Sequence, residues 1–206
     1  MFNWNCKKLQ IGNLRIKTPI IQGGMGIGIS LANLASAVAN EGGVGVLSAA
    51  GMGMITKDAC RNSMQSRINA LREQIRKARA KTGGVLGVNI MVALSNFGDM
   101  VKTSIEEGID IIFSGAGLPL NLPEFLKEGC KTKLVPIVSS GKAVKLITKW
   151  WKEKHRYVPD AFVVEGPLAG GHLGFKKEQI EDPEFRLEKL MEDVLQEVRE
   201  IEKETG

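Results

Sequence analysis

Residues 161–174 read Ala161-Phe162-Val163-Val164-Glu165-Gly166-Pro167-Leu168-Ala169-Gly170-Gly171-His172-Leu173-Gly174. The first four residues form a short apolar run with β-branched residues, which is typical of a buried strand. An acid ends the run, and the loop that follows holds four glycines and one of the two histidines of the chain. Glycine lets backbone amides approach a flat or anionic ligand because it has no Cβ, and an imidazole exchanges protons near neutral pH. The stretch therefore predicts a binding loop with an acid–base group; a tight turn with a surface histidine is the alternative.

A second glycine loop lies near the start of the chain, in Thr18-Pro19-Ile20-Ile21-Gln22-Gly23-Gly24-Met25-Gly26-Ile27-Gly28. It again follows a short apolar run, and residues 31–41 then have a helical pattern with Ser30 as the predicted N-cap. Its glycines do not fit the Gly-x-Gly-x-x-Gly spacing of dinucleotide sites. The sequence holds no Gly-x-x-x-x-Gly-Lys-Ser/Thr phosphate loop, which argues against a nucleotide triphosphatase.

Strand and helix patterns alternate along the whole chain. Apolar runs bounded by glycine, proline or polar residues predict strands at 19–22, 44–47, 85–90, 110–113, 133–138 and 161–164. Apolar spacings of three and four residues predict helices near 31–41, 61–81, 96–107, 119–128, 141–153 and 184–205. In the last of these, Asp182 and Pro183 are the predicted helix start.

This alternation predicts an α/β fold with a parallel sheet. The main choices are a doubly wound sheet and a (β/α)8 TIM barrel. Small or polar residues recur where strands end, in Gly87-Val88-Asn89, Ser114-Gly115-Ala116-Gly117 and Ser139-Ser140-Gly141. A barrel brings all such ends to one face, whereas a doubly wound sheet concentrates them at its switch point. We therefore predict a barrel; a strand order of 3-2-1-4-5-6 would indicate the doubly wound alternative.

The count of units is six rather than eight. We expect residues 1–206 to form a single α/β barrel domain that is incomplete, with about six β/α units, and the chain to be truncated at its C-terminus. Open parallel edges expose unpaired backbone groups, which predicts self-association.

Composition narrows the class of protein. Hydrophobic residues make up 43% and charged residues 25% of the chain, as in ordinary globular domains. The net charge of +5 is mild, the lysines are scattered and no aromatic–basic interleaving occurs, which argues against nucleic-acid binding. No apolar run reaches the ~18 residues of a membrane span, and no signal peptide precedes the first strand, so we expect a cytoplasmic protein. The three cysteines, Cys6, Cys60 and Cys130, are far apart and predict no metal site.

Four motifs on the predicted strand ends occur in a characteristic order. They are Pro19-Ile20-Ile21-Gln22-Gly23-Gly24-Met25-Gly26, Gly87-Val88-Asn89-Ile90, Ser114-Gly115-Ala116-Gly117, and Glu165-Gly166 with Ala169-Gly170-Gly171-His172-Leu173-Gly174. As a set they resemble the nitronate monooxygenase family, formerly called 2-nitropropane dioxygenases. That family shares its fold and flavin site with enoyl-acyl carrier protein reductase II. The resemblance implies an FMN-binding (β/α)8 barrel.

The resemblance also implies a role for particular residues. His172 matches the catalytic histidine near the reactive face of the flavin. Asn89 and Glu165 match polar residues that contact the flavin, although Asn89 has the alternative of capping a turn and Met25 that of filling the core. The cofactor-binding positions carried over are Gly23, Gly24, Met25, Asn89, Glu165, Ala169, Gly170 and Gly171.

The sequence departs from the family pattern at two places. Some nitronate monooxygenases have a lysine at the end of the fifth strand, where this chain has Val138 followed by Ser139 and Ser140. The family also holds the FMN phosphate with loops after strands seven and eight, which would lie beyond Gly206, so we expect the 206-residue chain to bind FMN weakly or not at all.

Three functions remain open from the sequence. The first is an FMN-dependent monooxygenase that oxidises alkyl nitronates with dioxygen. The second is an FMN-dependent enoyl-thioester reductase that uses a reduced nicotinamide. The third is a non-catalytic fragment that holds no flavin.

Overall fold

The computed structural model describes residues 8–54, 63–172 and 174–205. The strands are β1 (Leu9–Ile11), β2 (Leu14–Ile16), β3 (Gly45–Ser48), β4 (Leu86–Met91), β5 (Ile111–Gly115), β6 (Lys133–Val138) and β7 (Val163–Val164). The helices are α1 (Ala32–Asn40), α2 (Met64–Arg79), α3 (Phe97–Glu106), α4 (Gly141–His155) and α5 (Leu187–Thr205). Cys6 and Cys60 lie outside the described residues.

Strands β3 to β7 form one parallel sheet in chain order. The sheet is curled into an incomplete barrel, so the prediction of a TIM-type fold is confirmed and the doubly wound order does not occur in it. Each crossover contains a helix or, between β5 and β6, a short 3-10 turn. We did not predict the antiparallel β1–β2 hairpin, which turns at Gly12 with φ of +55°.

Each face of the sheet has its own apolar core, because successive side chains of a strand point to opposite faces. On the convex face, Leu86, Val88 and Ile90 pack with the helices. On the concave face, Ile111 and Phe113 pack in a second cluster, which the hairpin covers with its own isoleucines. Burial on both faces explains why the strands are near-continuous apolar runs.

Three sequence-based predictions were wrong in detail. Residues 19–22 form only a single bridge, from Ile21 to Val44, and no strand. The helix predicted at 119–128 is a 3-10 turn, Leu122–Phe125, because prolines at 119 and 123 remove backbone donors. The last helix begins at Leu187, after a 3-10 turn that the Asp182 carboxylate caps.

The N-terminal cap of α1 also differs from the prediction. Leu31, not Ser30, occupies the cap position, and it makes no side-chain capping bond. The Ser30 hydroxyl bonds instead to the glycine loop before it.

Aspartates fix the starts of two strands. The Asp110 carboxylate accepts the Leu86 amide at 2.8 Å, and the Asp160 carboxylate accepts the Leu134 amide at 2.9 Å. In each case the aspartate amide donates back to the carbonyl of the same residue. Asp160 also accepts the Tyr157 hydroxyl; burial, together with this carboxylate, raises the pKa of Tyr157, which keeps the phenol a donor. These paired bonds set the register of the strands they join.

We expect Asp160→Ala to lower the free energy of unfolding by about 1–3 kcal/mol, because the Leu134 amide and the Tyr157 hydroxyl would lose their acceptor. Urea unfolding followed by circular dichroism measures the change. Glu153→Ala is the control, since Glu153 makes only an exposed 3.9 Å pair with Lys149, worth at most about 1 kcal/mol. Equal losses in the two variants would contradict this role of Asp160.

Candidate functional site

The parallel order brings the carboxyl ends of β3 to β7 to one edge of the curled sheet. Asn89 is paired in register with Phe113 and shares its concave face. Glu165 follows β7 directly, and its amide extends the ladder by donating to the Val138 carbonyl at 2.8 Å. The topology therefore gives this edge two polar side chains that the sequence singled out.

The first glycine loop lies directly on Asn89. A Cβ at residue 24 would lie 2.3 Å from the Asn89 Cβ and 2.6 Å from its Nδ2, so only glycine fits there. At Gly23 a Cβ would meet no atom within 4 Å. Gly24 thus packs against β4 near its carboxyl end, whereas Gly23, the preceding residue, faces empty space.

Apolar side chains that follow this open position in the chain are exposed. Met25 is 44% exposed, which excludes the alternative that it fills the core, and Ile27 and Ile29 are exposed as well. Among the other methionines near the loop, Met52 is buried and Met54 exposed. Exposed apolar groups beside an open glycine backbone form a surface on which a flat ring can pack.

The second glycine loop turns back to its own start. The Gly174 amide lies close enough to the Glu165 carboxylate to influence its pKa, and a Cβ at residue 174 would lie 3.2 Å from the Ser139 Oγ. Burial raises the pKa of the half-buried Glu165 carboxyl, and the nearby Gly174 amide opposes that shift. The two ends of the loop that contains His172 therefore lie close together, at Glu165 and Gly174.

The tip of that loop is open. Ala169, Gly170, Gly171 and His172 are exposed, and a Cβ at either glycine would meet no atom within 4 Å. Within the described ranges, no hydrogen bond joins His172 to Asn89 or to the first loop. The structure thus brings the first loop together with Asn89, and Glu165 together with Gly174 and Ser139. His172 follows β7 at the same edge, with no hydrogen bond to these residues among those that the structure describes.

Sequence reasoning included Gln22 in the first loop and Ser30 as a helix cap, but it missed the hydrogen bonds that their side chains make. Their side chains bond to each other and to backbone groups of the loop and of β3. A serine that follows a glycine loop has a capping role by default, so the sequence held no signal for this arrangement. Ser114, which belongs to one of the motifs, is fully buried and ties β5 to β4 by donating to the Ile90 carbonyl.

A cavity of about 730 Å³ lies at the opposite edge of the sheet, where Asp110 and Thr132 precede β5 and β6. None of the predicted site residues lines it. Over the described part of the chain, no group of three or more His, Cys, Asp or Glu residues is arranged to hold a metal ion. Likewise, no described helix is both long and apolar enough to cross a bilayer.

Comparison with known proteins identifies the family of this chain. The family model described as nitronate monooxygenase matches residues 7–199. The chain belongs to the nitronate monooxygenase family. Proteins of this family and the structural neighbours below are oxidoreductases that use a flavin, generally FMN.

Three relatives show how far the similarity extends. A Mycobacterium tuberculosis protein named (3aS,4S,5R,7aS)-5-hydroxy-7a-methyl-1-oxo-octahydro-1H-indene-4-carboxyl-CoA dehydrogenase is 30% identical over 159 residues, 77% of this chain and 38% of its own length. FabK from Thermotoga maritima is 28% identical with a TM-score of 0.64, over 88% of this chain and 48% of its own. Nitroalkane oxidase from Streptomyces ansochromogenes is 19% identical with a TM-score of 0.68, over 88% of this chain and 56% of its own, and shows the fold alone. The nitronate monooxygenase-family chain therefore spans about half the length of these structures.

The contact of Gly24 with Asn89 yields a matched pair of variants. We expect Gly24→Ala to lower the free energy of unfolding by about 1–3 kcal/mol, because the new Cβ has no room against Asn89. Gly23→Ala, one residue earlier, adds the same group in open space and should cost much less. Thermal unfolding of both variants without ligand measures the difference, and equal destabilisation would contradict the packing of the loop on Asn89.

The raised pKa of Glu165 gives a pH-dependent prediction. A carboxyl whose folded-state pKa lies above its unfolded value stabilises the fold at low pH, and that contribution is lost as pH rises through the folded pKa. We therefore expect Glu165→Gln to raise stability relative to the parent more at neutral pH than in acid.

Urea midpoints of the parent and the Gln variant over an acid-to-neutral pH series measure this difference. Glu184→Gln, at an exposed site, is the control for the loss of one negative charge. A Gln variant whose advantage grows toward acid pH would show that burial does not dominate at Glu165.

Proposed function

We propose that this chain carries the flavin-contacting half of an FMN-dependent oxidoreductase that oxidises alkyl nitronates with dioxygen in the cytoplasm. The main supporting observation is the close packing of Gly24 against Asn89. In this arrangement the backbone of Gly23 is open, and the neighbouring Met25 side chain is exposed. Family membership supports a flavin oxidoreductase. The choice of nitronate as substrate is our inference from the histidine loop.

The residues present fit a flavin. Glycines at 23, 170 and 171 have empty space where a side chain would stand, which is the cradle that a flat ring requires. Bound FMN would supply the capacity to accept electrons from the substrate. The residues that would hold it are Gly23, Gly24, Met25, Asn89, Glu165, Ala169, Gly170 and Gly171.

His172 is the proposed catalytic base. A neutral imidazole accepts a proton near pH 7, and a nitroalkane must lose a proton from carbon to become a nitronate. His172 is exposed at the tip of its loop, where a small substrate can reach it. Glu165 lies at the base of the same loop, with its carboxylate near the Gly174 amide at the other end of that loop.

A second candidate is an enoyl-thioester reductase fed by a reduced nicotinamide. Two observations favour it. The sequence identity to this chain is higher for FabK and for the protein named as a carboxyl-CoA dehydrogenase than for nitroalkane oxidase. In addition, this chain has Val138 followed by Ser139 and Ser140 at the strand end where some nitronate monooxygenases have lysine. Two assays separate the functions. Oxygen uptake that depends on a nitronate would support the monooxygenase, and oxidation of a reduced nicotinamide that depends on an enoyl thioester would support the reductase.

We expect His172→Ala, made in the longest open reading frame that contains this sequence, to retain flavin and to lose activity on neutral nitroalkanes. Removal of a general base costs on the order of 10²–10⁴ in rate. The same variant should keep most of its activity on a preformed nitronate, because that substrate has already lost its proton. Oxygen uptake with each form of one nitroalkane measures the two rates.

His155→Ala is the matched control, since α4 begins at the carboxyl end of β6 and His155 is its last residue, at the opposite edge of the sheet. Equal losses on the neutral and anionic substrates in the His172 variant would assign His172 to binding instead of proton transfer. Colourless protein that takes up no added FMN would contradict the proposed function as a whole.

A further inference from the structure

Ser30 is fully buried beneath the first glycine loop, with 0% of its surface exposed. Its hydroxyl donates to the Gly23 carbonyl at 3.0 Å and accepts from the Met25 amide at 2.9 Å and from Gln22 Nε2 at 3.0 Å. A hydroxyl has one hydrogen to donate and two lone pairs. All three are therefore in use, and each binds the loop.

Gln22 connects the first glycine loop to β3 by hydrogen bonds from both its backbone and its side chain. Its backbone amide donates to the Val44 carbonyl at 3.0 Å. Its side-chain amide then continues the ladder, since Nε2 donates to the Val46 carbonyl at 2.8 Å and Oε1 accepts the Val46 amide at 3.4 Å. The side chain takes the place of the next peptide, so the backbone is free to leave the sheet at residue 23.

The backbone of Ser30 fixes the far end of the loop. Its amide donates to the Met25 carbonyl at 3.0 Å, and its carbonyl accepts the Ser48 amide, at the end of β3, at 3.0 Å. Ser30 thus joins three points: the glycines, the end of β3 and, through Gln22, the middle of β3. Loss of the hydroxyl would remove its bonds to Gly23, Met25 and Gln22 and would leave the two backbone bonds of Ser30 in place.

These bonds decide which loop amides can meet a ligand. The Met25 amide is occupied by Ser30 and, at 3.1 Å, by the Gly23 carbonyl. Among the described residues, the amides of Gly23 and Gly24 have no acceptor.

We propose that Ser30 is a positioning residue of the flavin site, whose hydroxyl binds the Met25 amide and the Gly23 carbonyl so that the Gly23 and Gly24 amides are the donors presented to an electron-rich ring. Met25 then contributes its side chain and not its amide. This inference rests on the proposed function for the identity of the ligand, but the hydrogen bonds can be tested without one.

The test is amide hydrogen exchange at Met25, followed by NMR in protein with no ligand added. We expect Ser30→Ala to accelerate this exchange about tenfold, the equivalent of one lost hydrogen bond, and to raise the Kd for FMN by a similar factor. Ser36→Ala is the matched control. Ser36 is buried like Ser30, but it lies on α1, and its hydroxyl donates to the Asn33 carbonyl of that helix and not to the glycine loop. It should change neither quantity.

Ser30→Cys is a second variant, for the case that Ser30→Ala fails to fold. The thiol fills the same space but accepts hydrogen bonds only weakly, so amide exchange at Met25 should again be faster than in the parent protein. Unchanged Met25 exchange in both Ser30 variants would overturn the positioning role whatever FMN does. Faster exchange in a protein whose parent form binds no FMN would contradict the proposed function while confirming that Ser30 holds the loop.

Discussion

Parallel pairing of β3 to β7 in chain order is the constraint on which the rest of the structure depends. It places every strand's carboxyl end at one edge, so residues as distant in sequence as Gly24, Asn89 and Glu165 share that edge. The aspartates at 110 and 160 set its register through bonds to the strand starts. A slip of one residue would turn Asn89 from the concave face to the apolar convex core.

Much of this arrangement could be predicted from the sequence, because β-branched runs and helical spacings carry the barrel pattern. The failures have local causes. Residues 19–22 do not form a strand, since the Gln22 side chain replaces the backbone in the ladder. The hairpin of β1 and β2 was missed because two three-residue strands leave too short a pattern to recognise. Asn89 and Glu165 could be singled out because Asn89 lies near the carboxyl end of β4 and Glu165 directly follows β7. The hydrogen bonds of Ser30 could not be predicted, because they depend on contacts that no spacing encodes.

The two glycine loops differ in how they are held. The first is fixed by the buried Ser30 hydroxyl and by contact with Asn89, so its backbone is preorganised for a ligand. The second has its two ends close together, at Glu165 and Gly174, and is open at its tip, where His172 lies. A rigid surface that orients a ring and an open loop that exchanges a proton suit the two tasks of the proposed oxidoreductase.

Glycine amide signals in an NMR titration with FMN test most directly whether the two loops form one flavin site. We predict saturable shifts at Gly23, Gly24, Gly170 and Gly171 with a single Kd, and none at Gly108 or Gly129, which line the cavity at the opposite edge. Shifts confined to one loop, or centred on Gly108 and Gly129, would contradict a shared site at the carboxyl ends of the strands.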